Sequence, residues 1–147
     1  MNFKSSSHPQ RTLMGPGPSD VHPQVLEALS RPTIGHLDPE FIRLMDEIKI
    51  LLKETFLTKN ETTILLSGPG SLGMETCFVN LVEPGDKVLV CVNGFFGGRM
   101  KENAERCGAI TIIVENEWGK AIDSNKVEEV LKNDAEIKIL AFVHAET

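Results

Sequence analysis

Hydrophobic positions follow two rhythms along the chain. Up to about residue 60 they recur at helical spacing, and beyond it short apolar runs alternate with helical segments. Pro23 to Leu29 reads as a short helix that Arg31-Pro32 ends, because the residue before a proline is pushed out of the α region. Asp38 is an N-cap with Pro39 at the first helical position. Phe41, Leu44, Met45, Ile48, Leu51, Leu52 and Phe56 then mark one apolar face of a helix running to about Phe56, expected to serve as core scaffolding. After a turn at Lys59-Asn60, the β-branched, apolar run Thr62 to Leu66 predicts a strand. Met74, Cys77, Phe78 and Leu81 repeat at helical spacing and predict a helix to about Val82, stopped before Pro84-Gly85-Asp86.

Val88 to Asn93 is nearly all apolar, the pattern of a strand buried on both faces of a parallel sheet. Asn93-Gly94-Phe95-Phe96-Gly97-Gly98 reads as a glycine-rich turn, followed by a helix through Met100 and Ala104 that ends at Cys107-Gly108. Ala109 to Val114 predicts a further strand, Asn116 to Ala121 a loop with the only tryptophan, Trp118, and Asp123 or Ser124 the cap of a helix with Val127, Val130 and Leu131 inward. Ile137 to Val143 predicts the last strand. Strands alternating with helices after residue 60 imply right-handed crossovers and an α/β fold, an open parallel sheet with helices on both faces. In such sheets ligands bind beyond the carboxyl ends of the strands. The loops Gly68 to Ser71, Asn93 to Gly97 and His144 to Thr147 each follow a strand and are expected at that one edge.

Composition narrows the classes. With 147 residues, 41% hydrophobic and 24% charged, the chain is that of a soluble globular domain. A net charge of −6 and no Lys/Arg cluster argue against a nucleic-acid surface. Cys77, Cys91 and Cys107 lack C-x-x-C spacing and are odd in number, which fits buried free thiols and a cytoplasmic protein. Met1 to Leu13 lacks the apolar run of a signal peptide, and no stretch approaches the ~18 apolar residues of a membrane span. Met1 to Thr12 reads as a polar mobile arm, and Gly15-Pro16-Gly17-Pro18 as a stiff turn before a helix or a substrate-contacting loop.

The densest chemistry lies at Ser67-Gly68-Pro69-Gly70-Ser71-Leu72-Gly73, where a strand would turn into a helix. Unpaired N–H groups there, with the partial positive charge of a helix N-terminus, attract an anion without any basic side chain. Gly68 to Gly73 also satisfies G-x-G-x-x-G, so a dinucleotide site competes. Its second anchor, an Asp or Glu at the end of the next strand, is absent: Cys91-Val92-Asn93-Gly94 stands there. A flat aromatic ring bearing one phosphate explains more residues, with Ser71 and the glycine loop on the phosphate and Phe95 or Phe96 stacked on the ring. Pyridoxal phosphate fits that description, while ordinary packing of the two phenylalanines stays open.

At these residues the sequence resembles the class V aminotransferases of fold type I, in the alanine–glyoxylate/serine–pyruvate branch. The resemblance is carried by Leu13 to Ser19, Met45-Asp46-Glu47-Ile48-Lys49, Ser67 to Ser71 with Met74-Glu75, Glu83-Pro84-Gly85-Asp86, Asn93 to Gly97 and His144-Ala145-Glu146-Thr147. It implies an arm and Gly/Pro loop over residues 1–20 and the first part of the cofactor-binding large domain over 21–147. It further implies pyridoxal 5′-phosphate held by Pro69, Gly70 and Ser71, stacked on Phe96 and touched by Thr147, with Gly15 and Gly17 at the substrate end. Phe96 stands where relatives can have tryptophan, and Ser71 where they can have histidine or threonine.

The implied partners are small amino-acid and oxo-acid substrates and, at full length, a second copy in a homodimer. In the family the Schiff-base lysine, the aspartate at the pyridine nitrogen and the substrate-binding arginine follow the segment matching His144 to Thr147. Lys87 and Lys138 lie at the starts of predicted strands, Lys101, Lys126 and Lys132 lie on predicted helices, and no lysine is expected in a suitable loop after a strand end. The chain is therefore expected to be an inactive N-terminal part of a transaminase. A cysteine desulfurase or a lyase on the same scaffold is the alternative, followed by a dinucleotide-binding module.

Overall fold

The computed structural model describes residues 8–146, which contain five helices and three strands. They fall into two compact units, one formed by residues 21–73 and the other by the residues before and after them.

In the unit Val21–Gly73, local signals set the helices. α1 (Pro23–Leu29) starts behind His22, whose ring nitrogen accepts from the Gln24 N–H, and α2 (Pro39–Thr55) starts behind Asp38, whose carboxylate accepts from the Glu40 N–H at 2.8 Å. No residue of α2 is fully buried, and the apolar face expected to be core scaffolding is only partly covered, at Phe41, Met45, Ile48 and Leu52. Thr62 to Leu66 runs without regular structure, although a strand was expected there; Ile64 and Leu65 are exposed. A strand exists only through ladder hydrogen bonds to a neighbour, and the unit holds no other strand to supply them.

α3 (Gly70–Leu81) leads into the sheet, which comprises β1 (Lys87–Val92), β2 (Ile110–Glu115) and β3 (Ile137–Ala141) in the order β2-β1-β3, both pairings parallel. α4 (Phe95–Arg106) joins β1 to β2 and α5 (Ser124–Asn133) joins β2 to β3. β1 is central and buried on both faces, as its unbroken apolar run implies. Val88 and Val90 pack with Phe78, Val82 and Ala104, and Leu89 and Cys91 pack with Val114, with Val127 and Val130 of α5 beside them. One strand therefore feeds two apolar layers.

Three boundaries differ from expectation. α4 begins at Phe95, so Phe95, Phe96, Gly97 and Gly98 form its first turn and not a loop. β3 stops at Ala141, two residues short of Val143, which leaves Phe142 half exposed. Of the three free cysteines only Cys91 is buried; Cys77 is exposed and Cys107 lies between the two, so burial is not general.

At the amino ends of the strands, Lys87 pairs with Asp134 and Glu136 at 2.7 Å each, and Lys138 pairs with Asp86 at 2.6 Å. These pairs tie the strand starts together, away from the edge where a ligand would sit.

Candidate functional site

Because the strands are parallel, Asn93, the segment after Glu115 and the segment after Ala141 all emerge at one edge of the sheet. Two of the three loops expected there meet. Glu146 reaches back to the first turn of α4, where its Oε1 accepts from the Phe96 N–H at 2.8 Å and its Oε2 from the Gly97 N–H at 2.9 Å. This is a helix start with no local cap: Gly94 is the N-cap residue and has no side chain to offer. The carboxylate supplies two charge-assisted bonds at the positive end of the helix dipole.

The glycines of this turn are set by space. A Cβ on Gly94 would lie 2.1 Å from Glu146 Cγ, and one on Gly97 would lie 2.9 Å from Val92 Cα and 3.0 Å from the Cys91 carbonyl oxygen. The turn is thus pressed against the end of β1 while accepting a side chain from beyond β3.

Phe96 is partly buried and Phe95 half exposed. Their rings meet edge to face with centroids 5.5 Å apart, and the Arg99 guanidinium carbon lies 4.9 Å from the Phe95 centroid and 5.4 Å from that of Phe96. Phe96 therefore has packing partners of its own.

Beside this turn a cavity of about 510 Å³ is lined by residues that include Asn93, Lys120, Ile122, Phe142, His144 and Glu146. Asn93 is 8% exposed; its Nδ2 donates to the Lys120 carbonyl at 2.8 Å, and its Oδ1 is buried without a hydrogen-bond partner among the described residues. Lys120 also corrects an expectation, since it lies in the loop that follows β2, although no lysine was expected in a suitable loop after a strand end; it is exposed. Cys91 is no candidate nucleophile, because burial pushes its thiol above the usual range.

The remaining expected site residues are described within their own units. Gly70 and Ser71 form the start of α3 after Pro69, whose carbonyl accepts from the Leu72 N–H at 2.8 Å. Gly68 takes φ +159° with Leu72 Cδ2 only 2.5 Å from where its Cβ would be, whereas Cβ positions at Gly70 and Gly73 meet nothing within 4 Å. Gly70 and Gly73 therefore have open space on their Cβ sides. Gly15 and Gly17 lie in an exposed bend whose flanks are joined by the Leu13 N–H and the Asp20 carboxylate at 3.2 Å. Thr147 lies outside the described residues.

Sequence reasoning did not find Glu146, Arg99 or the Asn93 bond to Lys120. A signal for Glu146 did exist: a helix starting directly after a glycine lacks a capping side chain, and its N–H groups need an acceptor from elsewhere in the chain.

Parallel strands joined by helices, with glycine-led helix starts, define an α/β scaffold whose loops gather at one edge. The comparisons supply its relatives. No family model matches the chain. It is 44% identical over 119 residues to the alanine–glyoxylate aminotransferase of Drosophila melanogaster, which covers 81% of this chain and 30% of that protein. It is 40% identical over 139 residues to the (S)-ureidoglycine–glyoxylate transaminase of Bacillus subtilis, covering 95% of this chain and 33% of that one. The crystal structure of an alanine–glyoxylate aminotransferase from Nostoc sp. superposes with a TM-score of 0.86 at 42% identity, over 99% of this chain and 38% of the other.

Over nearly its whole length the chain is thus similar to class V aminotransferases of fold type I. It spans about a third of the length of the curated relatives that it matches. Enzymes of this class generally use pyridoxal phosphate. No helix among the described residues is long and apolar enough to cross a membrane.

Proposed function

We propose that the chain is the N-terminal part of a pyridoxal 5′-phosphate-dependent aminotransferase that moves an amino group from alanine or serine to glyoxylate or pyruvate. On this reading residues 1–20 are an arm and Gly/Pro loop, residues 21–147 open the cofactor-binding domain, and the whole enzyme is a cytoplasmic homodimer.

The observation that carries the cofactor reading is the occupied start of α4. Two glycine-led helices could take an anion, and at α4 the Phe96 and Gly97 N–H groups already hold the Glu146 carboxylate. The other, the start of α3 after Pro69, has room at Gly70, where a Cβ would meet nothing within 4 Å, and this supports a phosphate there. α4 then offers no second phosphate site and presents an aromatic ring, Phe96, instead. One phosphate and one stacked ring suit pyridoxal phosphate better than a dinucleotide, which needs an acidic residue after β1 where Asn93 stands.

When bound, pyridoxal phosphate supplies an electron sink for chemistry at the α-carbon of the amino acid. This chain's share is to bind and orient: Gly70 and Ser71 hold the phosphate, Phe96 fixes the plane of the ring, Thr147 contacts its oxygen side, and Gly15 and Gly17 border the substrate.

Binding to the chain tests this directly. Pyridoxal 5′-phosphate should bind saturably and raise the melting temperature, NAD should do neither, and Ser71→Ala and Phe96→Ala should each weaken binding about tenfold. Protection by NAD with none by pyridoxal phosphate would overturn the reading.

A further inference from the structure

Glu146 reaches across 50 residues of sequence to supply the cap that Gly94 cannot. Its two oxygens bond two successive N–H groups, so the carboxylate plane and the first turn of α4 fix each other. Phe96 is held twice: its backbone N–H by Glu146 at 2.8 Å, and its ring by the edge of Phe95 and the guanidinium of Arg99. A backbone held on its N–H and a ring enclosed by two neighbours leave few rotamers open.

We propose that Glu146 is a positioning residue that fixes the face Phe96 presents to the pyridine ring of pyridoxal phosphate. The proposal rests on the reading of Phe96 as the stacking residue. It assigns the carboxylate a task that a different side chain performs poorly. Glutamine keeps one acceptor oxygen and sets an NH2 donor where the second oxygen meets an N–H, aspartate is one methylene shorter, and alanine leaves both donors to water. The glycine at position 94 belongs to the same device, since any Cβ there would occupy the place of the Glu146 side chain.

The test uses the full chain, the variants Glu146→Gln, Glu146→Ala and Phe96→Ala, and two probes, pyridoxal 5′-phosphate and inorganic phosphate. Amide hydrogen exchange at Phe96 and Gly97 should speed up at least tenfold in Glu146→Ala, with the amides of α5 unchanged. Pyridoxal phosphate should bind at least tenfold more weakly to Glu146→Ala and about fivefold more weakly to Glu146→Gln, while inorganic phosphate affinity moves less than twofold. A merely structural role predicts equal losses for the two probes, and that result would overturn the proposal. Wild-type affinity for pyridoxal phosphate in both Glu146 variants, alongside a loss in Phe96→Ala, would also overturn it and leave the cofactor reading standing. No saturable binding by the wild-type chain, or none of it dependent on Phe96, would remove both.

Discussion

Gly94 and Glu146 contend for the same space: a Cβ at position 94 would stand 2.1 Å from Glu146 Cγ and 2.4 Å from Cδ. The φ of Gly94 is 178°, extended backbone open to any residue, so conformational freedom does not explain the glycine. The neighbour does. A side chain from beyond β3 passes over position 94 to reach the N–H groups of Phe96 and Gly97.

Gly94→Ala should therefore behave as a loss of the Glu146 cap. Two charge-assisted hydrogen bonds at a partly buried helix start are worth about 2–3 kcal/mol together. Urea unfolding of Gly94→Ala and Glu146→Ala should show similar losses, and the double variant should lose little more than either alone. Additive losses would mean that the two residues act separately.

The legible parts of this chain are those whose causes are local. Asp38-Pro39 marked the start of α2, and the apolar run from Val88 marked a strand buried on both faces, because cap and burial pattern are written in adjacent residues. Thr62 to Leu66 carried the same apolar signal and forms no strand, since pairing depends on a partner that its own residues do not encode. The start of α4 reads as a loop in the sequence for a related reason: the group that caps a helix there lies 50 residues downstream. At the candidate site, the residue types for a phosphate and a ring were visible in the motifs. The division of labour between the two helix starts was not, because Glu146 decides it.

The sheet core makes the sharpest stability contrast. Leu89 is 0% exposed between the sheet and α5, whereas Leu140 on β3 is 41% exposed. Leu89→Ala should cost about 2–5 kcal/mol, the range for a filled core site that cannot collapse. Leu140→Ala should cost under about 1 kcal/mol by the area it removes from contact. Equal shifts in the urea midpoint would show that β1 is not the centre of the core.

The amino-end ion pairs give stability a pH dependence. The Lys138 side chain, and then the Glu83 N–H, hold the Asp86 carboxyl below the usual aspartate range; Lys87, and then the Glu136 N–H, do the same for Asp134. A pKa lowered by folding means that the unfolded chain takes up protons first as pH falls. The stabilisation is complete above the unfolded value of about 3.9 and disappears as pH drops through the lower folded value. The advantage of the wild type over Asp86→Asn and Asp134→Asn should be constant between pH 5 and 7 and shrink below about pH 4. A gap that widens in acid would reverse the sign.

Asn93 offers a test with a built-in control. Its Nδ2 donates to the Lys120 carbonyl at 2.8 Å and ties the loop after β2 to the end of β1. Asn93→Asp replaces this donor with a second acceptor, so at neutral pH a buried carboxylate would face a carbonyl oxygen, a loss of about 2–4 kcal/mol. Burial also raises the pKa of the new carboxyl, and once protonated it can donate to Lys120 again. Its folded-state pKa then exceeds the unfolded value, so the variant gains stability relative to the wild type as pH falls toward about 4. Asn93→Leu, which has no donor at any pH, should show a fixed deficit over the same range. If Asn93→Asp keeps its full deficit at pH 4.5, the bond to Lys120 is not what holds the loop.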